Sequence, residues 1–116
     1  MAILRLANME FYGYHGVTEE EKNRGGRFEV DCEIETDISG CAASDDVQDA
    51  LDYEIVYHII REQVENQRYS LMETLAARIK DEIKRRTGAP KVAVKVRKMK
   101  PPVAGQMGYF EIEISD

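Results

Sequence analysis

One lysine occupies a position where a β-strand should present a core residue. Val92, Val94 and Val96 recur at every second position, which is the period of a half-buried strand, and the next position on that face is Lys98. An amine at the rim of a core is partly desolvated, which disfavours its charged form and makes it a usable base near neutral pH. The alternative is that the strand frays at Arg97 or that a bulge redirects the side chain, which leaves Lys98 exposed.

Two glutamates have both a structural and a chemical interpretation. Thr18 and Glu21 match the capping-box pattern, in which a carboxylate bonds the start of a helix. Ser70 and Glu73 match it as well, and spacing alone favours the cap for both carboxylates. If Glu73 instead points into a cleft, its two oxygens can accept a pair of parallel N–H donors from a flat heterocycle.

Three aromatic side chains come next. Tyr53 follows a loop at the predicted start of a helix, where it either packs half-buried or meets a planar ligand and relays a proton. His15, between glycines in YGYHG, and His58, on a helix flank, are interpreted as structural. A zinc site would have to recruit both histidines together with cysteines or carboxylates, and no spacing indicates one. We therefore expect no metal and no other cofactor.

The elements that must position these side chains follow the order ββααββ. Alternating apolar and polar residues predict four strands, at residues 3–12, 28–38, 91–99 and 108–115. A change to the 3.6-residue period predicts two helices, at residues 53–67, capped by Asp52, and 70–88. A short helix is predicted between Thr18 and Gly25, and residues 39–52 are predicted to form a loop. The predicted fold class is α+β, with a four-stranded antiparallel sheet and both helices on one face.

The second strand has the clearest pattern of the four. Its apolar face is predicted to carry Phe28, Val30, Cys32, Ile34 and Ile38. Its other face carries acids, which we interpret as solvated and not as catalytic. That face of the sheet is left for water or for another subunit.

The bulk composition restricts the class of protein. A chain of 116 residues with 43% apolar and 33% charged residues is expected to fold as one domain over residues 1–116. The net charge of −6 argues against binding to nucleic acid or to an anionic membrane. Two cysteines outside any CxxC pattern, the absence of a long apolar run and the lack of a signal-peptide pattern together predict a cytoplasmic protein.

Five short motifs in order resemble dihydroneopterin aldolase, the folate-pathway enzyme of the tunnelling fold (T-fold). They cover nearly the whole chain: FYGYHG (11–16), Glu21 with Gly25, SDDVQDALDY (44–53), SLMETLAARI (70–79) and K-x-x-P-P-x-x-G (98–105). The chain departs from the family at Gly26, where Gln is frequent, and at Ala104 and Gln106 in the last loop, where Pro and His are frequent. These departures bear on loop rigidity and side-chain preference.

The resemblance implies a retro-aldol reaction. 7,8-Dihydroneopterin would lose glycolaldehyde and leave 6-hydroxymethyl-7,8-dihydropterin, and recombination of the intermediates would also allow epimerisation to dihydromonapterin. The C=N bond of the dihydropterin ring can accept the electrons, so neither a lysine Schiff base nor a metal is required.

The resemblance also assigns catalytic roles. It implies that Lys98 handles the substrate hydroxyl proton through a water molecule. Tyr53 would meet the pterin ring and take part in proton delivery to the enol intermediate. Glu21 would lie near the polyol end of the substrate.

The remaining implied contacts bind the substrate. Glu73 would grip the pyrimidine edge of the pterin with help from the Met72 backbone, and Leu51 would add a backbone contact. Family members form tetrameric rings that stack into octamers with sites between subunits, and we expect the same assembly here. The acidic face of the second strand, which we call the acid row (residues 29–37), would then face a water-filled lumen.

Two alternatives to the aldolase stay open. One is an epimerase acting on dihydroneopterin triphosphate, for which Lys22, Arg24 and Arg27 could supply positive charge. The other is a non-catalytic pterin-binding module on the same scaffold. The zinc-dependent pterin synthases of this fold need a histidine cluster, and this chain has two dispersed histidines.

Overall fold

The computed structural model describes all 116 residues and contains one four-stranded sheet. Its strands are β1 (Ala2–Gly13), β2 (Gly26–Thr36), β3 (Lys91–Met99) and β4 (Tyr109–Ser115). They lie in the order β1-β2-β3-β4, and each neighbouring pair is antiparallel. β1 and β4 are therefore the two edges of the sheet.

Two long helices, α3 (Tyr53–Asn66) and α4 (Met72–Thr87), cover one face of this sheet. Two short helices, α1 (Glu19–Arg24) and α2 (Ser39–Ser44), lie in the connections between the other elements. α3 packs against β1, and α4 packs against β3 and β4. The predicted ββααββ arrangement of the α+β class is confirmed, with α1 and α2 as short additions. None of the helices has the length and apolar character needed to cross a membrane.

The core lies between the sheet and the helices α3 and α4. Its buried side chains form one cluster, which includes Phe28, Val30, Cys32, Ile34, Val56, Ile60, Leu75, Ile79, Ile83, Val92, Val94 and Val96. The period-2 and period-3.6 patterns therefore identified the correct faces of the strands and helices.

The prediction for Ile38 was wrong. β2 ends at Thr36, and Ile38 is exposed at the start of α2. The Asp37 carboxylate accepts a hydrogen bond from the Ser39 amide at 2.9 Å and turns the chain out of the strand direction.

Residues 39–52 are also more regular than the predicted loop. They contain α2 and a single 3-10 turn over Val47–Asp49. Asp45 ends α2 in the left-handed conformation, and the Asp46 side chain caps the 3-10 turn by accepting from the Gln48 amide at 2.9 Å. The Ser- and Asp-rich composition that indicated a loop serves here to begin and end short helical turns.

The open face of the sheet carries a cross-strand charge ladder in place of a bare acid row. Lys95 lies between Asp31 and Glu113 in the strand register. Arg97 donates to Asp31 and to Glu111, each at 2.7 Å, and thereby joins β2, β3 and β4. Opposite charges on facing strands stabilise this register and keep the face polar.

Candidate functional site

The structure places Lys98 on the valine face of β3, opposite Phe28 of β2. The strand does not fray at Arg97, because β3 continues to Met99. The Lys98 amine lies 2.5 Å from Glu21 Oε2, and the two side chains are 16% and 13% exposed. A half-buried ion pair therefore lies beside Phe28, at the edge of the core.

The Glu21 carboxylate performs the cap and the ion pair together. The Thr18–Glu21 capping box is confirmed, and Gly25 ends α1 with a φ of 71°. Oε1 accepts from the Val17 and Thr18 amides at 3.1 and 3.3 Å, which leaves Oε2 for Lys98. Burial acts to raise the pKa of Glu21, but the hydrogen bonds from Lys98 and Thr18 outweigh it and hold that pKa below its ordinary value.

A cavity of about 310 Å³ surrounds this pair. Its lining includes the buried His15, together with Tyr12, Phe28, Gly26, Pro101 and Pro102. A Cβ added at Gly26 would meet no atom within 4 Å, so there is open space beside this position. No three side chains of His, Cys, Asp or Glu are grouped so that they could hold a metal ion.

His15 is a buried, hydrogen-bonded histidine, as interpreted from the sequence, and it also lines this cavity. Its Nε2 donates to the Val64 carbonyl at 2.8 Å, and its Nδ1 accepts from the Tyr69 amide at 3.1 Å. Burial lowers the pKa of His15; the bond to Val64 opposes the shift, and the positive charges of Lys98 and Arg68 reinforce it. The flanking glycines were the only signal in the sequence that pointed to close packing around this ring.

The start of α4 has no capping side chain. The predicted Ser70–Glu73 capping box is absent, since the N-cap residue is Leu71, which makes no side-chain hydrogen bond. Glu73 is consequently exposed in the first turn, while Met72 is buried. The exposed Glu73 carboxylate is open to an external partner, and the first N–H groups of this turn have no side-chain cap.

Tyr53 and Leu51 occupy a different cavity of about 400 Å³, which Leu4, Leu6 and Cys41 also line. Asp52 caps α3 as predicted by accepting from the Glu54 amide, and Tyr53 is 66% exposed. Leu4, which lines this cavity, pairs with Ile34 of β2, and Lys98 pairs with Phe28 of the same strand. Ile34 and Phe28 are six residues apart along β2, so the two cavities are separated by about 20 Å. One chain therefore does not bring Tyr53 to Lys98.

Comparison with known proteins assigns the chain to a family. The family model described as dihydroneopterin aldolase matches residues 4–115. The chain belongs to the dihydroneopterin aldolase family. The resemblance seen in the sequence is thereby confirmed, and with it an enzyme of the lyase class acting in folate biosynthesis.

Individual relatives and structures agree with this assignment. The Bacillus subtilis dihydroneopterin aldolase is 40% identical over 111 residues, covering 95% of this chain and 92% of its own. A Staphylococcus epidermidis dihydroneopterin aldolase is 38% identical over 113 residues, covering 97% and 93%. The E. coli dihydroneopterin aldolase, crystallised with neopterin, superposes with a TM-score of 0.88 at 26% identity, covering 100% of this chain and 99% of that one.

Proposed function

We propose that this family member cleaves 7,8-dihydroneopterin at a site shared between two subunits. One subunit contributes the Lys98–Glu21 pair and the exposed start of α4, and its neighbour contributes the end that carries Tyr53 and Leu51. The half-buried Lys98–Glu21 pair in its cavity is the observation on which the proposal rests. The separation of about 20 Å along β2 between the two ends supports a shared site.

The edges of the sheet support assembly into a ring. β1 and β4 present unpaired backbone groups, and Ile3, Tyr109 and Phe110 are exposed on them. Such edges pair readily with another chain. Pairing of β4 with β1 of the next copy would be a head-to-tail contact that repeats until the ring closes. The tetrameric ring and its stacked octamer implied by the family resemblance fit this geometry, with the polar ladder facing a wet lumen.

The chemistry follows from the groups at the two ends. Lys98 handles the substrate hydroxyl proton through a water molecule, and Glu21 pairs with its ammonium form. The side-chain carbon–carbon bond then breaks, glycolaldehyde leaves, and the electron pair moves into the ring C=N bond. Tyr53 takes part in returning a proton to the resulting enol, which completes the hydroxymethyl product.

The start of α4 suits the pterin head. The exposed Glu73 oxygens can accept the parallel N–H donors of the pyrimidine edge. The free N–H groups of the first turn, beginning at Met72, can donate to its carbonyl oxygen. Binding there would orient the side chain of the substrate toward Lys98.

We favour the unphosphorylated substrate over its triphosphate. Two of the basic side chains near the cavity already face carboxylates: Arg24 lies 3.6 Å from Glu20, and Arg27 lies 2.7 Å from Glu10. A triphosphate would have to compete with these acids for positive charge. Side-by-side turnover of 7,8-dihydroneopterin and its triphosphate distinguishes the two. Epimerisation and a cytoplasmic location stay predictions from the sequence.

Mixing of variants tests the shared site. Lys98→Ala and Tyr53→Ala chains should each be nearly inactive on 7,8-dihydroneopterin without added metal, with products identified by chromatography. Unfolding and reassembling them together should restore about a quarter of wild-type turnover. The two sides of each site are drawn from two equally frequent variants, and only one of the four combinations has both Lys98 and Tyr53.

The matched control mixes Lys98→Ala with Glu73→Ala chains, and both mixtures are assayed at substrate concentrations well below KM, where the lost pterin affinity of Glu73→Ala lowers turnover. Both residues belong to the same side of the proposed interface, so no assembly order rebuilds a complete site. Equal recovery in both mixtures, or recovery in neither, would contradict the shared site.

A further inference from the structure

The connection between α3 and α4 is fixed to the turn that follows β1. We call residues 67–71 the α3–α4 linker. The Gly16 amide donates to the Tyr69 carbonyl at 3.0 Å, and the Tyr69 amide donates to His15 Nδ1 at 3.1 Å. Arg68 donates to the Lys22 carbonyl at 3.2 Å and lies over the Tyr14 ring. The same turn leads into α1, which carries Glu21.

His15 stands at the centre of these contacts. Its ring is 2% exposed, and it meets Phe28 edge-on and stacks on Tyr69 at centroid distances of 5.2 and 5.7 Å. Because a backbone N–H donates to Nδ1 and a carbonyl accepts from Nε2, only the neutral Nε2–H tautomer satisfies both contacts.

The chain packs closely against His15 on the side of Gly13. A Cβ at Gly13 would lie 2.6 Å from the Val64 carbonyl oxygen and 2.9 Å from His15 Cδ2. The glycine thus allows β1, the ring and the end of α3 to approach one another closely.

We infer that His15 is a positioning residue that, by holding the Tyr69 backbone, sets where α4 and its Glu73 carboxylate begin relative to the Lys98–Glu21 cavity. The reason is that α4 has no side-chain cap of its own at Leu71. A helix start without a local cap needs another anchor. The bonds of the linker to His15 and Gly16, a few residues before Glu73, supply it. This inference rests on the proposed role of Glu73 in binding the substrate.

The charges around the ring favour the neutral imidazole that this role needs. Lys98 from β3 and Arg68 from the linker are the positive groups near His15, and Glu21 from α1 pairs with Lys98. Burial is the main reason that the pKa of His15 lies below its ordinary value, and the two cations act in the same direction. The imidazole therefore stays neutral at neutral pH and keeps its acceptor nitrogen.

Two substitutions separate the contacts of the ring. His15→Asn places an amide oxygen near the former Nδ1 and can still accept from Tyr69, whereas His15→Gln places an amide nitrogen near the former Nε2 and can still donate to Val64. Each variant loses one hydrogen bond, so similar losses of Tm are expected. We expect His15→Gln to weaken binding of 7,8-dihydroneopterin about tenfold more than His15→Asn, or about 1.4 kcal/mol.

The assay is a fluorescence titration of the pterin together with steady-state kinetics. The difference between the two variants should appear in Kd and KM and leave kcat nearly equal, because the ring touches no reacting atom. Equal Kd values for both variants, or losses that merely follow Tm, would overturn the inference. An inactive wild-type protein that still binds the pterin would count against the proposed reaction alone.

Wild-type protein labelled uniformly with 15N provides a test that needs no variant. The inference requires a neutral Nε2–H tautomer at His15 and a Tyr69 amide that is protected from hydrogen exchange, with the exposed His58 as internal reference. An Nδ1–H tautomer, or a freely exchanging Tyr69 amide, would overturn it even if both variants failed to fold.

Discussion

Replacement of Glu21 by Gln would separate the two tasks of this carboxylate. Gln keeps an oxygen that can accept from the Val17 and Thr18 amides, now 3.1 and 3.3 Å from Oε1. It loses the negative charge that faces Lys98 at 2.5 Å. Any change in the variant therefore reports on the ion pair and not on the cap of α1.

The burial of the pair sets the expected magnitude. With side chains 16% and 13% exposed, the pair lies between a surface salt bridge and a fully buried one. These two limits are about 0–1 and about 3–5 kcal/mol, so we expect Glu21→Gln to lower the free energy of unfolding by about 2 kcal/mol. For a domain of this length that corresponds to a decrease in Tm of roughly 8 °C.

The pH dependence gives a second signature with a definite sign. The folded-state pKa of Glu21 lies below its ordinary value of 4.5. Its contribution to stability is therefore complete above that ordinary value and is lost as the pH falls through the folded-state pKa. The stability difference between wild type and Glu21→Gln should thus be largest at neutral pH and shrink on acidification below about pH 5. Other carboxylates titrate in both proteins and cancel.

Urea unfolding at one fixed protein concentration measures both effects, because the apparent stability of an oligomer depends on concentration. A double-mutant cycle with Lys98→Met isolates the pair, and a coupling free energy of about 1–3 kcal/mol is expected. A coupling near zero, together with a stability difference that does not change with pH, would refute the claim that this ion pair is formed and stabilising.

Two further substitutions probe the start of α4 and the turn before α1. Glu73→Ala should weaken pterin binding by about 1–3 kcal/mol in a fluorescence titration, because it leaves a donor pair unmatched; its Tm should hardly change, since Glu73 caps no helix, and a lower Tm with normal binding would contradict this. Gly16→Ala should reduce turnover and Tm, because its φ of 152° favours glycine and an added Cβ would lie 2.3–2.6 Å from the Glu21 side chain. Gly40→Ala, whose Cβ would meet nothing within 4 Å and which lies in α2, is the matched control and should lower neither turnover nor Tm.

Periodicity in the sequence was sufficient to predict the faces of the core elements. The alternation along residues 92–98 predicted that Lys98 shares a face with the buried valines, and the structure has it there. The same rule failed at Ile38, because it carries no information about where a strand stops. Beyond that end, the Ser39 amide donates to the Asp37 carboxylate and the chain enters α2.

Capping patterns show the limit of local signals. Two stretches match the same pattern, yet the box at Thr18 and Glu21 forms and the one at Ser70 and Glu73 does not. A cap contributes only about 1 kcal/mol, so tertiary contacts can override it. At α4 the linker bonds to His15 and Gly16 fix the start of the helix instead.

The sequence by itself determined the order of elements, the buried faces and the family, because strand and helix periods and short motifs are local properties of the chain. Only the tertiary structure decided which side chains meet. Lys98 and Glu21 are 77 positions apart, and no spacing rule links them. Tyr53 and Lys98, joined by family resemblance, lie at opposite ends of one sheet, because an antiparallel sheet separates groups by its register and not by their order in the sequence.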